Sequence, residues 1–187
     1  MMMSKVSLFL ADGFEEIEGL TVVDLLRRAG ADIQTVSVTG DRIITGSHDI
    51  CVMADVLFED ADFSDSDMFV LPGGMPGTLN LKAHKPLCSL LDTAYKTGKY
   101  VAAICAAPTV LGSLGILKGK KATCYPSPDL QAQLDCAEYL EVPVVTDGHV
   151  ITSRGMGTAI DFSAVLIEKL FDAAAAEKVL QSIIYRA

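Results

Sequence analysis

Short apolar runs alternate with longer stretches of helical period along the whole chain, and no other feature limits the fold so strongly. Residues 5–11 read as a buried strand. Residues 15–29 read as a helix, with Ile17, Leu20, Val23 and Leu26 at helical spacing and Gly30 as the stop. A second strand follows at 33–38, and 42–53 suggests a small hairpin or edge excursion. Residues 68–71 form a short buried strand ended by Pro-Gly-Gly, and 86–97 a helix ending at Gly98. Residues 100–104 are a further buried strand, with a helix after it at 108–114. Strands at 144–146 and 150–152 flank an Asp147-Gly148 turn. Helices at 159–171 and 173–184 close the pattern. Such alternation predicts an α/β fold, a mainly parallel sheet with helices on both faces. We find no linker, repeat or low-complexity tract, so one domain over 1–187 is expected.

Composition narrows the function. Half of the 187 residues are hydrophobic and 21% are charged, the balance of a folded globular protein. The net charge of -9 opposes a nucleic-acid or anionic-membrane partner, because both need a positive field. No apolar run reaches the roughly 18–20 residues that span a bilayer. The first residues lack a basic leader and a small-residue cleavage site, so they read as a strand rather than a signal peptide. The five cysteines (Cys51, Cys88, Cys105, Cys124 and Cys136) include no CxxC pair. A disulfide framework is therefore not expected, and a cytoplasmic location is.

In a parallel sheet, ligands bind beyond the carboxyl ends of the strands. Four segments fall at such ends: ADGFEEIE, LPGGMPG, AICAAP and TSRGMGT. In the third, Cys105 leaves a strand and precedes a helix among Ala102, Ala103, Ala106 and Ala107. Small neighbours permit a sharp strand-to-helix turn, the nucleophile elbow. A helix N-terminus beside the sulfur would favour thiolate. A buried structural cysteine has the same pattern, and the other four cysteines read that way. The three histidines, His48, His84 and His149, fall at no strand end facing the cleft, so neither a Cys-His dyad nor a metal site is expected. Glu15 and Glu16 fit the acidic first turn of a helix. Glu18, one turn on from Glu15, can reach back to the cleft, where burial would raise its pKa and let it donate a hydrogen bond to sulfur. The LPGGMPG loop is neither GxGxxG nor a P-loop. Gly73, Gly74 and Gly77 suit either a tight turn or backbone amides approaching a substrate oxygen. Arg154 is a candidate for binding an anion or a neighbouring chain, with Gly155 and Gly157 shaping its loop.

Taken together, ADGFEEIEGLTVVDLLRRAG, FVLPGGMPGTLNL, VAAICAAPTVL and ITSRGMGTAIDF resemble the DJ-1 (ThiJ/PfpI) superfamily, in order and spacing, over residues 5 to about 170. The likeness is to the branch of the parkinsonism-associated deglycase and its bacterial homologues of the thiazole monophosphate biosynthesis type. The resemblance implies a flavodoxin-like three-layer sandwich of the glutamine amidotransferase class I kind, and a homodimer. It implies that Cys105 is the elbow nucleophile, that Glu18 hydrogen-bonds it, and that the Gly74 and Ala106 amides face the site. It also implies a glutathione-independent glyoxalase or deglycase acting on methylglyoxal-type 2-oxoaldehydes without a cofactor. A redox-sensing, stress-protective protein or chaperone that oxidises Cys105 is the alternative. The chain departs from the branch at Tyr125, where many members have histidine, and at His48, where arginine is common near the dimer interface; Arg28 is retained. Peptidase-like members carry histidine directly after the cysteine, and Ala106 stands there instead, which disfavours proteolysis.

Overall fold

Lys5–Leu10 forms the first strand, β1, and every residue from Val6 to Leu10 is buried. Val6, Leu8 and Leu10 pack into one apolar cluster, Phe9 and Ala11 into another. This period of two with no polar face is what a strand covered on both sides requires. The computed structural model of the chain describes residues 4–135 and 137–185, and the expectation for Cys136 falls outside them.

The elements follow in chain order. Helix α1 (Glu16–Ala29) is followed by β2 (Asp32–Ser37), β3 (Ile43–Thr45), β4 (Cys51–Met53), β5 (Val56–Leu57) and β6 (Met68–Leu71). Next come α2 (Gly77–Ala83), α3 (Lys85–Lys96), β7 (Tyr100–Ile104), α4 (Pro108–Ser113), β8 (Lys121–Ala122) and α5 (Pro128–Gln131). The chain continues through β9 (Glu138–Tyr139), β10 (Val144–Asp147), β11 (Val150–Ser153), α6 (Ala159–Leu170) and α7 (Ala173–Ser182). The seven-stranded central sheet has the order β10-β11-β7-β6-β1-β2-β5. All its pairings are parallel except the edge pair β10–β11. Helices α1, α6 and α7 cover one face, with Val22, Leu26, Phe162, Leu166 and Val179 in its cluster. Helices α2, α3 and α4 cover the other, with Leu81, Leu87, Leu91, Val110 and Leu111. Burying each of these large side chains contributes about 1.5–3 kcal/mol. Among the described residues, no helix is long and apolar enough to cross a membrane.

Most element boundaries fall within a residue or two of the sequence expectation, and the hairpin forms as β3–β4. Helix α2 was not expected, because its opening Pro-Gly reads as turn and its seven residues are too few to show a period. The buried face of α1 also differs. Val22, Val23, Leu25 and Leu26 face the core, whereas Ile17 and Leu20 are 49% and 39% exposed. Glu18 and Gly19 take the inward positions of the first turn instead. Helix α1 ends as expected, at a left-handed Gly30 (φ 89°) whose amide bonds back to the last turn.

From β1 the chain first adds β2 on one side and later β6 on the other. The sheet therefore has its switch point between the carboxyl ends of β1 and β6. Strands β11, β7, β6 and β1 are neighbours, and this brings their four following loops together.

Candidate active site

Cys105 lies in the turn that leaves β7, in the left-handed backbone region at φ 65°. A side chain bearing Cβ adopts this region only when its surroundings hold it there. Two backbone hydrogen bonds do so: the Cys105 amide donates to the Ser153 carbonyl at 3.0 Å, and the Tyr125 amide donates to the Cys105 carbonyl at 2.8 Å. Helix α4 begins three residues later and has only six residues, so the sulfur does not sit on a helix end. The amides that reach the sulfur are those of Gly74 and Ala106.

Glu18 approaches from the first turn of α1 and is 1% exposed. Its Oε2 accepts the Gly73 amide at 2.8 Å. Its Oε1 has no hydrogen-bond partner among the described residues, although the Cys105 thiol and the Met156 amide are near enough to favour its charged form. Burial outweighs these donors, and the Glu15 charge adds to it, so the Glu18 carboxyl is pushed up to about 7. Burial also pushes the Cys105 thiol up, to about 12, with the Glu18 carboxylate working in the same direction; Gly74 and Ala106 pull against both. The sequence expectation of a thiolate favoured by a helix end is therefore corrected. Beside an ionised Glu18, Cys105 stays a thiol. Once Glu18 is protonated, its repulsion is gone and its proton can face the sulfur.

The glycine loop is what permits this closeness. A Cβ on Gly73 would stand 2.6 Å from the Cys105 Cβ and 2.7 Å from Glu18 Oε2. Gly74, at φ 90°, lies against the backbone of Glu15 and Gly13. Across the site, the position of a Cβ on Gly155 is 3.5 Å from the Tyr125 ring, 3.8 Å from Glu18 Oε1 and 3.9 Å from Cys105 Sγ. Gly155 and Tyr125 thus wall the site, with Tyr125 half exposed at the rim. Gly157 follows in a short 3-10 turn (Met156–Thr158). The Ser153 carbonyl and the Met156 amide lie in the segment singled out from sequence, but backbone groups leave no residue-type signal.

The other candidates lie elsewhere. Arg154 pairs with Glu141 at 2.9 Å, and Arg28 with Asp24 at 2.7 Å. Arg28 stands ten residues beyond Glu18 on α1, about 15 Å along the axis, so within one chain it is not brought to the site. His84 caps α3 and lies edge-on to Phe58. His149 packs near Tyr100, and its carbonyl accepts the amide of Val101, at the end of β7 opposite Cys105. His48 is in the β3–β4 turn, with Nδ1 3.0 Å from Glu16 Oε2 and 3.7 Å from Glu15 Oε2. Glu16 is 3% exposed and reaches the hairpin rather than solvent. Burial acts to raise its pKa, but hydrogen bonds from its own amide, the His48 ring and the His48 and Ile50 amides prevail and pull it down to about 2. Cys88 and Cys124 are buried, and Cys51 is exposed on β4.

The family model described as the DJ-1/PfpI family matches residues 4–169. Protein DJ-1 homolog B of Arabidopsis thaliana is 41% identical over 89% of this chain and 38% of its own length. The chain thus spans less than half the length of that relative. Protein dj-1beta of Drosophila melanogaster is 37% identical over 90% of each chain. Deglycase TK1284 of Thermococcus kodakarensis is 31% identical over 82% of this chain and 91% of its own. Among solved structures, oxidized Toxoplasma gondii DJ-1 superposes with a TM-score of 0.93 at 36% identity, over 98% of this chain and all of that one.

Proposed function

The chain belongs to the DJ-1/PfpI family, and from that premise we propose that it is a cysteine-dependent glyoxalase or deglycase acting on small 2-oxoaldehydes and their adducts. One observation carries this reading. A buried, protonatable carboxyl and a thiol share one pocket with two backbone amides aimed at the sulfur. Cys105 sulfur adds to the aldehyde carbon of methylglyoxal, and the carbonyl oxygen becomes the hydroxyl of a hemithioacetal. The Gly74 and Ala106 amides steady the oxyanion as it forms. Glu18, titrating near neutrality, takes the proton from that carbon and returns it to the neighbouring one through an enediolate. This leaves a lactoyl thioester, which water cleaves to lactate and free thiol. In this role Cys105 is the elbow nucleophile. Its fixed backbone turn and the small Ala106 and Ala107 that follow support that role. The deglycase name of the Thermococcus relative supports the substrate class.

The test is lactate formation from methylglyoxal without glutathione. We expect turnover by the wild-type chain and a loss of at least about a hundredfold in Cys105→Ala and in Glu18→Ala. Activity retained in either variant would overturn the reading. A second reading has its own support: the same amides and the protonated Glu18 suit the oxygens of a cysteine sulfinate, and a close structural neighbour is an oxidized DJ-1. If lactate formation is absent and mild peroxide adds two oxygens selectively to Cys105 by intact mass, the redox-sensing role takes its place. The exposed Ile17 and Leu20 on α1, with Ile43, Ile50 and Met53 on the hairpin, support assembly as a homodimer.

A further inference from the structure

We propose that Glu15, Glu16 and His48 hold a divalent metal ion of the zinc class where α1 meets the β3–β4 hairpin. The site lies outside the Cys105 centre and does not depend on the glyoxalase reading. Residues far apart in sequence meet here: two consecutive carboxylates at the start of α1 and an imidazole from the hairpin turn. The three ligand atoms lie within 4.8 Å of one another. Ser47 Oγ completes the group, at 3.1 Å from His48 Nδ1, 3.2 Å from Glu15 Oε2 and 3.3 Å from Glu16 Oε2. With His48 Nδ1 at 3.0 and 3.7 Å from the two carboxylates, five of the six separations among these four atoms run from 3.0 to 3.7 Å, and the two carboxylates lie within 4.8 Å of each other. A regular tetrahedron with edges in this range has its centre roughly 1.8–2.3 Å from each corner, a range that spans the bond length of zinc to nitrogen and oxygen ligands. The Ser47 hydroxyl stands at the fourth corner.

The ligands are oriented before any ion arrives. Glu16 Oε1 accepts the His48 amide at 2.8 Å and the Ile50 amide at 3.4 Å, which leaves Oε2 pointing at the imidazole. The hairpin turn wraps this carboxylate so closely that a Cβ on Gly46 would stand 2.2 Å from Oε1. Glu15 is fixed through its backbone, whose amide donates to the Gly73 carbonyl at 2.9 Å. These outer contacts are the kind that set ligand geometry in metal sites. Two carboxylates and a neutral imidazole balance a dication, and within one chain the His48 side chain is two-thirds exposed. On binding, Nδ1 gives its lone pair to the metal and any proton on it goes to solvent, so affinity rises with pH.

The test uses the full chain carrying Cys51→Ser and Cys105→Ser, which removes the exposed and site thiols from competition. Zinc titration by calorimetry at pH 7.5 is expected to show one saturable equivalent per chain. His48→Gln in the same background should weaken it at least about tenfold, while His84→Gln leaves it unchanged. Cobalt should give the intense visible absorption of a tetrahedral site, also lost in His48→Gln. His48 is exposed, so its replacement spares the core, and a thermal melt of the variant verifies this. Absence of saturable binding, or binding indifferent to His48→Gln, overturns the proposal and leaves an ion pair only.

Discussion

Glu18 is held where its charge is costly. Its pKa rises from the ordinary 4.5 to about 7 in the folded chain, chiefly through burial. Between those values the folded state binds more protons than the unfolded one, so this residue makes stability fall as pH rises from about 4.5 to 7. Glu18→Gln keeps the shape and removes the titration. The variant should be more stable than wild type above pH 7, by up to about 3 kcal/mol, and nearly equal to it at pH 4.5. Denaturant unfolding at the two pH values measures this, and a constant difference would refute the assignment. Glu16 works in the opposite sense. Its lowered pKa contributes stability above pH 4.5 that is lost as pH falls toward about 2. Sequence reading named Cys105 and Glu18 as candidates, one after a strand and one in the first turn of the helix that follows another, and the fold brings the two side chains together. The shift of Cys105 was not legible in sequence, because it depends on burial and on a neighbouring carboxylate, and neither has a sequence pattern.

At the scale of elements, α1 and the β3–β4 hairpin form one unit, joined by the Glu16 carboxylate accepting hairpin amides. The period of α1 was legible, but its buried stripe was not. Ile17 and Leu20 fit a helical apolar face, yet Glu18 and Gly19 face inward, Glu18 to the Gly73 amide and Gly19 against Phe14 and Leu10. The two displaced side chains stand on the same unit as Ile43, Ile50 and Met53. If this face closes a homodimer, Leu20→Asp should shift the mass measured by light scattering from dimer to monomer and leave the circular dichroism spectrum unchanged. A dimer that survives this change would place the interface elsewhere. The joining of His48 to Glu15 and Glu16 was equally hidden, because a three-residue strand at each side of a turn gives no register to read.

For the whole molecule, topology was the most legible feature. Alternating buried runs imply a parallel sheet, and a parallel sheet implies convergence of loops at one end. The observed order β11-β7-β6-β1 places the four singled-out segments side by side. Sequence alone could not show which groups in those loops face one another, since much of the site is main chain. The Tyr125 amide holds the Cys105 carbonyl, while the Tyr125 side chain stands half exposed at the rim. A substitution at position 125 therefore keeps the main-chain bond that holds the Cys105 carbonyl beside the sulfur, provided the newcomer is not proline, which has no amide hydrogen to give.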